Sequence, residues 1–163
     1  VKAALTGHLV LSTLHTNDAS GVFPRLIDMG VEPFLVQSSV ALAAAQRLLK
    51  RVCPECKETI TVPPDALERF QYQPFDYIPE PQFVRGRGCP KCKDTGYKGR
   101  VAVIEAMLNW PQVQPLVLQR AAGQDIKRMA IQCGMKTLRQ NALSKAAQGL
   151  TTLEQVLEHT IDD

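Results

Sequence analysis

His8-Leu9-Val10-Leu11-Ser12-Thr13-Leu14-His15-Thr16-Asn17-Asp18 is a short apolar and β-branched run, with Gly7 before it and three capping residue types at its end. A continuous apolar run of this length suits a strand buried on both faces, as in a parallel sheet. Thr16, Asn17 or Asp18 can then cap a helix, because each carries a side-chain oxygen that accepts an otherwise unpaired amide hydrogen. The helix that follows puts Val22, Phe23, Leu26 and Ile27 on its apolar face and stops at Gly30. A strand leading straight into a capped helix is the mark of an α/β fold, and that is the class expected.

Upstream, Val1, Ala3, Ala4 and Leu5 followed by Gly7 read as the last turn of a helix with its glycine stop. The chain opens inside an element and without methionine, so the expectation is a piece of a longer protein. Downstream, residues from Glu32 to about Ala45 read as a second helix presenting Phe34, Leu35, Val40 and Leu42, and 47–52 either finishes that helix or forms a strand. Between Cys53 and Tyr97 the prolines at 54, 63, 64, 74, 79, 81 and 90 break any long element, which points to an inserted small module with a helical turn near Asp65 to Phe70.

Gly99 to Leu108 reads as a strand, with β-branched Val101, Val103 and Ile104. Four short helices are expected from Pro111 onward. Ile126, Met129, Ala130 and Cys133 share one helix face, with Gly134 just past its end, and Cys133 is read as a core residue. Thr137 with Gln140, and Thr151 with Glu154, fit capping boxes. Leu153, Val156, Leu157, Thr160 and Ile161 form the stripe of the last helix. The organisation expected is 1–52, 53–97 and 98–163.

The 163 residues allow one domain of ordinary size, and 45% apolar with 21% charged content excludes whole-chain disorder. No apolar run approaches the ~20 residues of a membrane span, so a soluble protein is expected. A net charge of +3 implies nucleic-acid binding only if it is concentrated. Five cysteines without a secretory leader argue for thiols in a reducing, cytoplasmic setting rather than a disulfide scaffold.

Four of those cysteines form the strongest chemical signal. Cys53-Pro-Glu-Cys56-Lys and Cys89-Pro-Lys-Cys92-Lys are near-copies of one pentapeptide. Two residues between cysteines let a tight turn aim both thiolates at one ion, and two such knuckles complete the tetrahedron that zinc prefers. An all-cysteine set with no histidine near either knuckle reads as structural, since a catalytic zinc keeps a position open for water. A metal-dependent hydrolase is therefore disfavoured.

Four thiolates on a divalent ion carry excess negative charge, and Arg85, Arg87, Lys91, Lys93, Lys98 and Arg100 surround the second knuckle with only Asp94 opposing. This cluster either offsets the metal site or forms a nucleic-acid footprint, as in a zinc ribbon that touches phosphates. His15, just past the apolar run, occupies the strand end where open α/β sheets bind ligands, while His8 lies at the opposite end.

Thr6 to Ala19, Arg25 to Phe34, Ala45-Gln-Arg-Leu48, the two Cys-Pro-x-Cys knuckles, Thr95-Gly-Tyr-Lys-Gly-Arg100 and Gly134-Met-Lys-Thr-Leu-Arg139 together resemble the C-terminal part of the type II secretion and type IV pilus assembly ATPases, across nearly the whole chain and in the family's order. The resemblance implies the C-terminal half of a RecA-like P-loop ATPase core, with an inserted tetracysteine zinc module and a C-terminal helical subdomain. It also implies a homo-hexameric, cytoplasmic ATP-binding motor, peripheral to the inner membrane and reaching it only through platform proteins, with no nucleic-acid partner.

In that family the stretch with His8 and His15 is the His box. The carry-over makes His15 the catalytic γ-phosphate sensor with Thr16 beside it, and gives His8 a structural role. Arg25 and Arg47 are candidates for intersubunit or nucleotide contacts by position, or for ion pairs within one subunit. Cys53, Cys56, Cys89 and Cys92 carry over as the ligands of a structural Zn2+. ATP and Mg2+ belong to the full-length parent only, because no Gly-x-x-x-x-Gly-Lys-Ser/Thr occurs here and the family's Walker B residues would precede Val1. The chain alone is expected to hydrolyse no ATP. The alternative function is a zinc-ribbon nucleic-acid-binding module.

Overall fold

The computed structural model describes residues 1–70, 72–74, 78 and 80–160, so Pro79 and Ile161 of the sequence reading lie outside the described residues. It is a mixed α/β structure of two units: 1–45 with 105–137, and 46–104 with 138–163. Strands β1 (Leu42–Val52) and β4 (Tyr97–Leu108) pair with each other. Asn109 N donates to Ala41 O at 3.1 Å and Cys53 N to Gly96 O at 2.9 Å, so the start of each strand meets the end of the other and the pair is antiparallel.

The first unit holds the short α1 (Lys2–Leu5), α2 (Val22–Asp28), α3 (Pro33–Ser39), α5 (Gln114–Leu118) and α6 (Gly123–Gln132). Helix α3 packs on α5, α2 and α1, and its Val36 is fully buried, as are Phe23, Val117 and Ala130. Burial of Phe23 alone removes enough apolar surface to contribute about 2–3 kcal/mol. Asn109 Nδ2 donates to Gln37 O at 2.6 Å and Val40 O at 2.9 Å, taking up carbonyls that the end of α3 leaves unpaired. Gly7, Gly30 and Gly134 all have positive φ, and each stands just past a helix, as read from sequence.

Three expectations fail in this unit. The run His8 to Leu14 is not a strand, and Leu9 and Leu11 are each 88% exposed. A strand exists by pairing, and among the described residues no strand pairs with this run, whatever its composition. The second helix also ends at Ser39 rather than near Ala45, because Leu42 onward pairs with β4 instead. There the alternation of buried Ala43 and Ala45 with exposed Leu42 and Ala44 outweighs alanine's local preference for helix. Cys133, read as a core residue, is only half-buried and stands at the C-cap of α6.

In the second unit β2 (Lys57–Thr59) pairs antiparallel with β3 (Val84–Gly86), placing Lys57 opposite Gly86 and Thr59 opposite Val84. The helical turn expected near Asp65 is α4 (Pro64–Arg69). Helices α7 (Leu138–Ala147) and α8 (Leu153–His159) pack on each other. Helix α7 is buried nearly all round, through Leu138, Ala142, Leu143 and Ala146.

The second capping box is shifted by one residue. Thr152 caps α8, its hydroxyl accepting from Gln155 N at 3.3 Å, whereas Thr151 Oγ1 donates to Lys50 O at 2.8 Å. Thr151 is drawn into bonding β1, and Gln155 Oε1 reinforces that edge by accepting from Lys50 N at 2.9 Å.

Candidate functional site

The β2–β3 ribbon explains why two distant knuckles meet. Cys56 directly precedes β2 and Cys89 follows β3 by three residues, so pairing the strands carries both turns to the same end. Arg87 N then donates to Cys56 O at 3.0 Å and Cys53 N to Gly96 O, stitching one knuckle to the other through backbone. The four Sγ atoms of Cys53, Cys56, Cys89 and Cys92 lie within 4.8 Å of one another. All are free thiols, and all but half-buried Cys89 are buried.

Individual sulfur separations are 3.9 Å for Cys53 to Cys89, 3.9 Å for Cys56 to Cys92 and 3.7 Å for Cys89 to Cys92. A tetrahedron with metal–sulfur bonds of ~2.3 Å has sulfur–sulfur edges of about 3.8 Å. These three separations match such edges, so the quartet could hold a four-coordinate ion.

The surroundings are tuned unequally. Burial raises the Cys92 thiol, but amide hydrogens of Cys89 at 3.2 Å and Gly96 at 3.3 Å point at its sulfur and bring it down to about 6. Burial dominates at Cys56 and pushes it up to about 12. Metal binding would have to displace the protons that burial favours on the quartet, a cost that the amide hydrogens pointing at Cys92 Sγ reduce.

Close backbone approach makes two glycines obligatory here. A Cβ on Gly86 would stand 2.0 Å from Gly96 O, and one on Gly96, whose φ is +76°, would stand 2.6 Å from Gly86 O. Gly86→Ala is expected to force the two backbones apart and pull Gly96 N off Cys92 Sγ, lowering stability by about 3 kcal/mol or more. Thermal denaturation of the variant beside the wild type measures this, and an unchanged midpoint would contradict the contact.

The basic cluster is partly compensated. Glu58 pairs with Arg85 and, at 3.9 Å, with Arg87, both across from or beside it on the ribbon. Sequence reading counted only Asp94 against these arginines, because the cross-strand partner lies 27 residues away in the chain.

In the first unit, His15, Thr16, Asp18, Ser20, Arg25 and Gln124 line one open groove. His15 is exposed, whereas Ala19 and Ser20 behind it are buried. Asp18 Oδ1 accepts from Gly21 N at 2.9 Å, folding the chain back before α2. The structure thus gathers His15, Thr16 and Arg25, three of the sequence candidates.

Arg47 is elsewhere, on β1, donating to Gln46 O at 3.2 Å. His8 Nδ1 is 3.0 Å from Thr6 Oγ1 and 3.3 Å from Ala3 O, contacts that end α1. Sequence reading missed Glu105, which is 0% exposed and accepts from Ala19 N at 2.8 Å. Its position between inward-facing Val103 and Met107 on a half-buried strand was the available signal.

Comparison with known proteins places the chain. Residues 1–158 match the family model described as type II/IV secretion system protein. The chain is 45% identical, over 100% of its length and 29% of the relative's, to the type IV pilus assembly ATPase PilB of Myxococcus xanthus. It is 43% identical to the protein of the same name from Thermus thermophilus, over 99% of this chain and 18% of the relative. Identity to the type II secretion system ATPase E of Vibrio cholerae is 41%, over 98% of this chain and 31% of the relative. The chain spans less than a third of the length of these curated relatives. With its match running from the His15 groove through both cysteine knuckles to the last helix, the chain belongs to the type II/IV secretion system protein family.

Proposed function

We propose that this chain is the C-terminal part of the motor domain of a hexameric, RecA-like ATPase that powers type II secretion or type IV pilus assembly at the cytoplasmic face of the inner membrane. The observation that carries this is identity of 41–45% over essentially the entire chain to proteins named as such ATPases. In this reading His15 and Thr16 face the γ-phosphate of ATP across the groove, and Arg25 beside them meets phosphate or a neighbouring subunit. The sequence holds no Gly-x-x-x-x-Gly-Lys-Ser/Thr, so the phosphate cradle and Mg2+ come from other parts of the assembled motor.

Cys53, Cys56, Cys89 and Cys92 hold one structural Zn2+, which supplies folding energy rather than a reacting group. Contact with the membrane runs through platform proteins; no helix among the described residues is long and apolar enough to cross it. Binding of nucleic acid by the basic segment is the weaker reading, because Glu58 already engages Arg85 and Arg87.

The test compares two preparations: this chain, and the longer protein that contains it. ATP hydrolysis is expected from the longer protein and not from the chain alone. Turnover above background by the purified chain would contradict the division of labour, and an inactive longer protein would remove the motor reading.

A further inference from the structure

Glu105 is a carboxyl group at a position that should be apolar. Along β4 the inward-facing residues are Val103, Glu105 and Met107, with exposures of 1%, 0% and 0%. Enclosing a group of this polarity is costly unless it does bonding work there. One such bond is long-range: Oε1 accepts the amide hydrogen of Ala19 at 2.8 Å, across 86 residues of sequence.

Ala19 is itself fully buried and stands four residues after His15, in the turn that lines the groove. Within that turn Asp18 Oδ1 takes the hydrogen of Gly21 N, so Glu105 and Asp18 together satisfy the amides that flank buried Ser20. The segment before it lies outside every helix and strand. Regular pairing therefore does not hold His15, and this buried contact on β4 anchors the turn that follows it.

We propose that Glu105 is a positioning residue for His15: its buried carboxyl group fixes the Ala19 backbone, and through it the His15–Asp18 side of the groove, in the arrangement that meets the nucleotide phosphate. The catalytic half of this rests on the proposed role of His15; the anchoring half does not. What Ala19 needs is an acceptor oxygen, so Glu105→Gln keeps the contact and Glu105→Ala removes it.

Two measurements separate the two halves. In this chain, amide hydrogen exchange at Ala19 and Ser20 is expected to quicken roughly 10- to 100-fold in Glu105→Ala and to remain near wild type in Glu105→Gln. In the longer protein, assayed well below its melting temperature, Glu105→Ala is expected to lower kcat for ATP roughly tenfold or more with KM within about threefold, and Glu105→Gln to restore most of it. The double variant Glu105→Ala, His15→Ala is expected to be no slower than His15→Ala, because both changes act through one side chain.

Unchanged exchange in Glu105→Ala would overturn the anchor whatever His15 does. Additive losses in the double variant, or loss of melting temperature with kcat intact, would reduce Glu105 to a packing residue and overturn its positioning role. Wild-type turnover in His15→Ala would instead remove the reading of the groove, and the catalytic half with it, while leaving the exchange result to stand.

Discussion

His15→Ala in the longer protein is expected to lower ATP turnover by roughly 100-fold while nucleotide affinity stays within about threefold. The imidazole stands exposed at the lip of a polar groove rather than enclosed in the core, so its removal leaves no cavity and no buried group unpaired. Any large effect on rate must then come from what the side chain does to bound nucleotide. A donor aimed at the γ-phosphate matters most when charge redistributes as the bond to the leaving group breaks, so kcat falls and binding does not. Steady-state kinetics beside direct nucleotide-binding measurements test this, and a variant with wild-type turnover would exclude His15 from the reaction.

Loss of the metal is expected to have the largest effect on stability. Cys53→Ser or Cys92→Ser, or chelation of the wild type, is expected to abolish cooperative folding of the knuckle module, since a tetracysteine site contributes on the order of 10 kcal/mol. The β2–β3 ribbon has three residues a side, too few to stand alone, and the knuckles flank one end of it.

Proton release gives the prediction a sign. Cys56, pushed up to about 12, releases its proton to solvent only when a metal ion takes its place, so each unit of acidification costs about tenfold in affinity for every proton released. Zinc should leave readily in mild acid and return on neutralisation. A zinc-free variant that melts at the wild-type temperature would overturn the structural role.

The parts legible in the sequence are those specified by local chemistry. The two knuckles were readable because a pair of Cys-x-x-Cys spacings suits one tetrahedral ion, and the four sulfurs do lie within 4.8 Å of one another. Helix stops at Gly7, Gly30 and Gly134 were readable because positive φ selects glycine. What escaped depends on partners distant in the chain. The apolar run after Gly7 has a strand's composition but no strand beside it among the described residues.

Ala43 to Ala45 look helical until β4 is seen to pair with them. Thr151 was a plausible cap whose hydroxyl the Lys50 carbonyl claims instead. The groove was half-legible: position singled out His15, Thr16 and Arg25, but nothing local marks Glu105 as their neighbour across 86 residues from Ala19.

The most direct test of the proposed metal centre is X-ray absorption at the zinc edge combined with metal analysis of freshly purified, reduced protein. One zinc per chain, bound by four sulfurs at about 2.3 Å, is the expected result. Well under one zinc per chain, a shell containing nitrogen or oxygen, or thiols joined as cystines would contradict it.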